Sequence, residues 1–154
     1  MTQPRSKPRV FLDADALLAA CASPSEHGAS LVILRLAEIT LLEALTCDQV
    51  ITEVQRNLQA KLPDALPIFQ TIVSRCIRVL PDPAPADLKP YVGLAHDEDL
   101  PILVAAAQAG CPWLITFHVR HYQPGCPSVT VLRPGEFLLR VRDQLSRLER
   151  TGEA

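Results

Sequence analysis

The sequence predicts an α/β fold in three layers, in which a central, mainly parallel β-sheet lies between two layers of helices. Short apolar runs such as Val10–Leu12 and Trp113–Thr116 alternate along the chain with longer segments of helical spacing. Strands that alternate with helices form parallel sheets, because each helix returns the chain to the start of the next strand. The length of 154 residues suits one domain, so we expect one domain over residues 1–154.

The first elements follow from local composition. The polar residues 1–8 are expected to form a flexible N-terminal tail. Val10–Leu12 is short and apolar, as in a buried strand, whereas Ala14–Cys21 is rich in the helix formers Ala and Leu. Turn-forming residues at Ser23–Gly28 predict a loop, and the helical spacing of apolar residues over Ala29–Ile39 predicts a second helix.

The middle of the chain is predicted to continue with a strand and two helices. Thr40–Cys47 is assigned as a strand, although its Leu and Ala residues also suit a helix. Asp48 is a plausible N-cap for a helix over Gln49–Lys61. The apolar face of that helix is formed by residues spaced four apart, namely Val50, Val54 and Leu58. Pro63–Cys76 is expected to be the next helix.

In the last part of the chain, proline and glycine mark the boundaries. Ile77–Leu80 is a strand candidate, and Pro81–Pro90 holds four prolines, which predicts an irregular connection. Leu100–Gly110 is expected to be a helix that stops at its glycine. The remaining expected elements are a strand at Trp113–Thr116, a loop at His118–Ser128, a strand at Val129–Leu132 and a helix at Pro134–Arg150.

Composition excludes several classes of protein. The five cysteines are scattered and form no CxxC pair, which argues against a zinc site and against a disulfide framework. Their expected role is that of small buried hydrophobes in a reducing cytoplasm. The longest apolar stretch, Ala29–Leu45, contains three charged residues, so we expect no membrane span. We also expect no signal peptide, because residues 1–9 are polar.

The net charge of −2 is unusual for a protein that binds nucleic acid, because such proteins are more often basic. A nuclease that holds phosphates through metal ions does not need a wide basic surface, so a nucleic-acid role stays open.

Three acidic residues are candidates for a functional site. Asp13 directly follows the first predicted strand, and ligands of parallel α/β sheets bind outside the carboxyl ends of the strands. Glu53 lies one residue from the apolar face of its helix, and Asp99 precedes the helix that contains Pro101. Taken singly, Asp13 and Asp99 also suit helix caps and Glu53 also suits a solvated surface, so the functional interpretation depends on the set.

The ordered set resembles the PIN domain along nearly the whole chain. The matching segments are Val10-Phe11-Leu12-Asp13-Ala14-Asp15, Ile51-Thr52-Glu53-Val54, Asp99-Leu100-Pro101-Ile102 and Trp113-Leu114-Ile115-Thr116. The resemblance implies a PIN-like fold and a ribonuclease that uses Mg²⁺ or Mn²⁺, with Asp13, Glu53 and Asp99 as catalytic and metal-binding residues. It also implies a cytoplasmic toxin that acts on RNA, is held by a cognate antitoxin and forms a homodimer.

One departure from the family pattern concerns the segment after Thr116. Positions where many PIN domains carry Asp or Asn hold His118 and His121. Histidine binds Mn²⁺ better than Mg²⁺ and adds no negative charge, so Asp15 and Asp97 are candidates to supply it. The sequence therefore leaves two hypotheses open: an active nuclease with a variant site, or an inactive PIN domain that binds RNA or protein.

Overall fold

The computed structural model of the protein describes residues 7–22 and 28–151. Most of the expected tail (residues 1–6) and of the first loop (residues 23–27) lies outside the described residues. Pro8 is described, and its carbonyl accepts a hydrogen bond of 2.8 Å from the Glu43 amide. This last residue of the expected tail is therefore tied to the sheet.

Five strands form one parallel sheet, which confirms the predicted fold class. The strands are β1 (Arg9–Leu12), β2 (Glu43–Cys47), β3 (Ile77–Leu80), β4 (Trp113–Ile115) and β5 (Thr130–Leu132). Their order across the sheet is β3-β2-β1-β4-β5, and every neighbouring pair is parallel. The ambiguous segment before Cys47 is indeed a strand, which begins at Glu43.

Helices flank the sheet and complete a three-layer α/β/α arrangement. They are α1 (Ala14–Ala22), α2 (Ala29–Glu38), α3 (Asp48–Lys61), α4 (Leu66–Cys76), α5 (Leu100–Gln108) and α6 (Pro134–Thr151). The α3 face of Val50, Val54 and Leu58 is buried as its spacing predicts. Gly110 follows α5 with a φ of 68°, a conformation that few other residues adopt, which explains why the helix stops there.

The predicted N-cap of α3 was wrong, because a residue distant in sequence accepts the hydrogen bond at the start of this helix. Asp48 is the first residue of α3 rather than its N-cap. The Gln49 amide at the start of the helix donates a hydrogen bond of 2.9 Å to Asp82 Oδ1. Asp82 lies in the proline-rich connection after β3, so only the folded chain brings donor and acceptor together.

Three segments form short 3₁₀ helices that the sequence did not predict. The connection assigned as irregular contains one at Pro85–Tyr91, and the segment assigned as a loop contains one at Val119–Tyr122. The third, Pro63–Ala65, precedes α4. Proline suits the first turn of a helix because it lacks the N–H that would remain unpaired there, which accounts for the two that begin with proline.

The sheet topology places a ligand crevice between β1 and β4. From β1 the chain passes to β2 on one side and reaches β4 on the other, so the direction of strand order reverses between β1 and β4. The residues that follow these strands, Asp13 and Thr116, are both buried. Ligands of open α/β sheets bind at such a switch point, outside the carboxyl ends of the strands.

The cysteines are free, as the sequence predicted. Cys21, Cys47 and Cys111 are buried, whereas Cys76 and Cys126 are partly buried. Burial raises the pKa of the Cys47 thiol to about 12, so this thiol stays protonated and behaves as an apolar side chain. Over the described part of the chain, no helix is both long and apolar enough to cross a membrane.

Candidate active site

Asp13 is the buried centre of the site, with only 6% of its surface exposed. Its Oδ1 accepts a hydrogen bond of 2.7 Å from the Ala14 amide, which starts α1. Its Oδ2 accepts one from the Thr116 hydroxyl and one from the Tyr122 hydroxyl, both 2.8 Å long. The two hydroxyls fix the orientation of the carboxylate, and none of these three donors carries a charge that would neutralise it.

Asp15 lies beside Asp13 and is tied to the end of β4. The Phe117 amide donates a hydrogen bond of 2.9 Å to Asp15 Oδ2. The Thr116 hydroxyl lies 3.2 and 3.3 Å from the two Asp15 oxygens, and its one proton is shared among this carboxylate and that of Asp13. Thr116 thus holds two like-charged groups next to each other at the carboxyl end of β4.

Glu53 and Asp99 come to the same place from α3 and from the turn before α5. Together with Asp13 and Asp15 they line one cavity of about 340 Å³. The other residues that line this cavity are Ala14, Leu18, Asn57, His96, Glu98, His118 and His121. The three predicted principal acids therefore line one cavity, although they are far apart in sequence.

The two histidines that depart from the family pattern each approach one acid. His118 Nε2 lies 3.6 Å from Asp15 Oδ2, and His121 Nδ1 lies 3.1 Å from Asp99 Oδ2. The His118 and His121 rings are stacked, with their centroids 4.8 Å apart. Both predicted histidines thus belong to the cavity and neither points away from it.

Burial, together with crowding, makes three of the acids harder to ionise. Burial, followed by the charge of Asp13, raises the pKa of Asp15, of Glu53 and of Asp99 above their ordinary values. The neighbouring His121 partly opposes this shift at Asp99. Burial and the charge of Asp13 also raise the pKa of Tyr122 far above its usual range, so its hydroxyl remains a donor to Asp13. A site that resists negative charge in this way favours a bound cation.

One predicted accessory residue, Asp97, lies outside the cavity. The sequence suggested it as a source of local charge, and the structure places it at an exposed position that does not line the cavity. Glu98, the next residue, lines the cavity instead. Residues 97–99 form a turn, and in a turn the direction of neighbouring side chains does not follow from helical or strand periodicity.

Four residues of the site were missed from the sequence: Glu98, Asn57, His96 and Tyr122. His96 precedes Asp99 by three positions, a spacing that puts side chains on one face of a helical turn and that could have indicated it. Asn57 follows Glu53 by four positions on the same helix, so the same argument applies to it. No local pattern pointed to Tyr122.

The cavity contains the kinds of donor that a divalent cation binds. Five carboxylates line it, and among the described residues that line it there is no Lys or Arg. Oxygen donors of this kind suit Mg²⁺ and Mn²⁺, and the imidazoles favour Mn²⁺. A larger cleft of about 570 Å³ adjoins the starts of β2 and β3, but its carboxylate, Glu43, already pairs with Arg9 and Arg78.

Comparison with known proteins agrees with this geometry. A sequence model of the PIN domain matches residues 9–120. No curated protein sequence matches the chain. Among solved structures, this chain is similar to a chain of VapBC2 from Rickettsia felis, which was solved bound to a DNA fragment from the VapBC2 promoter. The TM-score is 0.60 and the identity is 14%, and the match covers 81% of this chain and 98% of that one.

A second similar structure is Mycobacterium tuberculosis VapC20, described as a sarcin–ricin loop cleaving toxin. It has a TM-score of 0.51 and 20% identity, and the match covers 68% of this chain and 86% of that one. At these identities the two likenesses show a shared fold, whereas the sequence model spans most of the chain.

Proposed function

Because the chain belongs to the PIN-domain family, we propose that it is a metal-dependent ribonuclease with Asp13, Glu53 and Asp99 as its principal acids. The observation that carries this proposal is the cavity between β1 and β4, where five carboxylates meet without a lysine or arginine among the described lining residues. Repulsion among these carboxylates lowers stability, so we expect the cluster to have a function. Binding of a cation that in turn binds phosphate is such a function.

Each residue has a distinct part in the proposed reaction. Asp13, Glu53 and Asp99 would hold Mg²⁺ or Mn²⁺, and Asp15 would add a further oxygen. A divalent ion, when bound, activates a water molecule and neutralises charge on the phosphate under attack. Thr116 and Tyr122 hold Asp13 in one orientation through their hydroxyls, 2.8 Å from its Oδ2.

The biological setting that we propose is a toxin–antitoxin pair. One of the two similar structures is a VapBC2 complex, and the other, VapC20, is described as a sarcin–ricin loop cleaving toxin. By analogy we propose a cytoplasmic toxin that acts on RNA as one domain, forms a homodimer and is held by a cognate antitoxin. Growth arrest on expression of the parent chain but not of Glu53→Gln supports this setting, and light scattering of the purified protein tests the dimer.

An inactive, binding-only PIN domain is the second candidate. The specific observation in its favour is that His118 lies 3.6 Å from Asp15 and His121 lies 3.1 Å from Asp99. In these positions the two imidazoles would compete with a metal ion for the carboxylate oxygens. An inactive domain of this kind would bind RNA, or a partner protein, without cutting the RNA in either metal.

Cleavage of a labelled RNA separates the two candidates. The parent chain, Glu53→Gln and the parent with a chelator are compared in Mn²⁺. Glu53 is exposed, so its substitution should leave the fold intact while removing an oxygen ligand. We expect cutting by the parent alone; RNA that stays whole with the parent in both Mn²⁺ and Mg²⁺ would favour the inactive domain.

A further inference from the structure

Three histidine rings stand in a row along the acidic cavity. The His96 and His121 ring centroids are 4.5 Å apart, and the His121 and His118 centroids are 4.8 Å apart. All three rings line the cavity, and the side chains of His118 and His121 are 60% and 42% exposed. The row therefore presents imidazole nitrogens to solvent on the side of the cavity that also holds Asp99.

Only two of these histidines place a ring nitrogen close enough to Asp99 for one metal ion to bind all three residues. One ring nitrogen each from His96 and His121 and one carboxylate oxygen of Asp99 all lie within 4.8 Å of one another. Within the described residues, no other group of at least three His, Cys, Asp or Glu side chains meets this condition. His118 instead approaches Asp15, so it is close to the group but is not a member of it.

The backbone holds the group together before any ion arrives. The His96 amide donates a hydrogen bond of 2.8 Å to the His121 carbonyl, which joins the two segments that carry the imidazoles. The amides of Asp99 and Leu100 donate to the His96 carbonyl at 2.9 and 2.8 Å, which fixes the turn between His96 and Asp99. A site that is ordered in advance binds its ion without the cost of ordering the chain.

We infer that His96, Asp99 and His121 form a binding site for a transition-metal ion of the zinc class. Two imidazoles and one carboxylate, with a position left for water, are a ligand set typical of Zn²⁺. Mg²⁺ prefers hard oxygen donors in an octahedron and keeps its water, so it competes poorly here. This site is distinct in chemistry from the carboxylates of Asp13 and Glu53, although it lines the same cavity.

Zinc at this site has a consequence for catalysis, because Asp99 belongs to both ligand groups. An Asp99 carboxylate that binds Zn²⁺ is less available to an ion held with Asp13 and Glu53. Zn²⁺ should therefore inhibit RNA cleavage in Mg²⁺, and this inhibition, unlike the binding of zinc itself, rests on the proposed nuclease function.

The test is calorimetric titration of the full chain with Zn²⁺ in the absence of RNA. His96→Ala and His121→Ala remove the imidazole ligands, and His118→Ala is the matched control from the same row of rings. We expect His96→Ala and His121→Ala to weaken Zn²⁺ binding by more than the roughly 10- to 100-fold that loss of an outer hydrogen-bond partner of a ligand costs. His118→Ala should bind as the parent does, and excess Mg²⁺ should not displace Zn²⁺.

Zinc binding by His96→Ala at the parent affinity would overturn the assignment, as would an equal loss in all three variants. His96 is exposed, so a folding defect is not expected to confuse its result. A parent that cuts RNA but binds no Zn²⁺ would refute the zinc site and leave the nuclease intact. A parent that binds Zn²⁺ through His96 but never cuts RNA would refute the nuclease function and leave the zinc site intact.

Discussion

The Tyr122 hydroxyl donates a hydrogen bond of 2.8 Å to Asp13 Oδ2 across 109 positions of sequence. Both residues are buried, at 2% and 6% exposure, so the bond is shielded from water. It ties the short helical segment after β4 to the end of β1. The most buried acid of the site is therefore held in place by a residue that the linear sequence places in a loop.

Removal of this hydroxyl should destabilise the protein. Tyr122→Phe keeps the buried ring but takes a donor from a buried carboxylate, so we expect a loss of roughly 1.5–3 kcal/mol in the free energy of unfolding at neutral pH. Urea denaturation measures this loss. Tyr91→Phe is the matched control, because it makes the same chemical change at a partly exposed tyrosine and should cost far less. Equal stability of Tyr122→Phe and the parent would show that Asp13 does not need this bond.

Metal should change the pH dependence of stability. The pKa values of Glu53 and Asp99 are raised in the folded protein, so the folded state binds more protons than the unfolded state above the ordinary values of 4.5 and 3.8. Metal-free protein should therefore lose stability from these groups as pH rises from the ordinary pKa values through the raised pKa values of the folded state. Mn²⁺ requires the deprotonated acids, so it should raise the melting temperature more at neutral pH than in mild acid.

Thermal melts with and without Mn²⁺ across this pH range measure both effects. Glu53→Gln removes one of the titrating groups, and it should flatten the metal-free profile and reduce the gain from Mn²⁺. A gain from Mn²⁺ that is the same in acid and at neutral pH would argue against ligation by these carboxylates.

The choice between metals should depend on His118. His118 is exposed and lies 3.6 Å from Asp15, at a position where the PIN pattern carries an oxygen ligand. The parent should cut RNA better in Mn²⁺ than in Mg²⁺, and His118→Asp should improve cutting in Mg²⁺. His118→Asn separates the added charge from the loss of the ring. Identical rates for all three proteins in both metals would mean that His118 has no part in the choice.

The sequence was sufficient for elements that carry a local signal. Alternation of apolar runs with helical spacing predicted the parallel sheet, and Asp13 was expected at a strand end because it directly follows an apolar run. The ordered motifs also brought together Glu53 and Asp99, neither of which stands out alone.

What escaped the sequence depends on contacts between distant segments. Asp82, and not Asp48, accepts the hydrogen bond at the start of α3, and Tyr122 orients Asp13. Sequence periodicity predicts neither contact, because each one joins residues on separate elements. In the turn before α5, Glu98 and Asp99 line the cavity and Asp97 does not, because the direction of side chains in a turn does not follow helical or strand periodicity. Residues of this kind can be assigned only once the chain is folded.

The most direct test of the acidic site is the rate of RNA cleavage in Mn²⁺ by Asp99→Asn and by Asp97→Asn. The two substitutions remove the same charge two positions apart, but only Asp99 lines the cavity. We predict that Asp99→Asn loses at least about 100-fold in rate, because loss of an outer partner of a metal ligand already costs roughly 10- to 100-fold, and that Asp97→Asn cuts at the parent rate. Cleavage by Asp99→Asn at the parent rate, or an equal loss in both variants, would contradict the metal-dependent site proposed for this cavity.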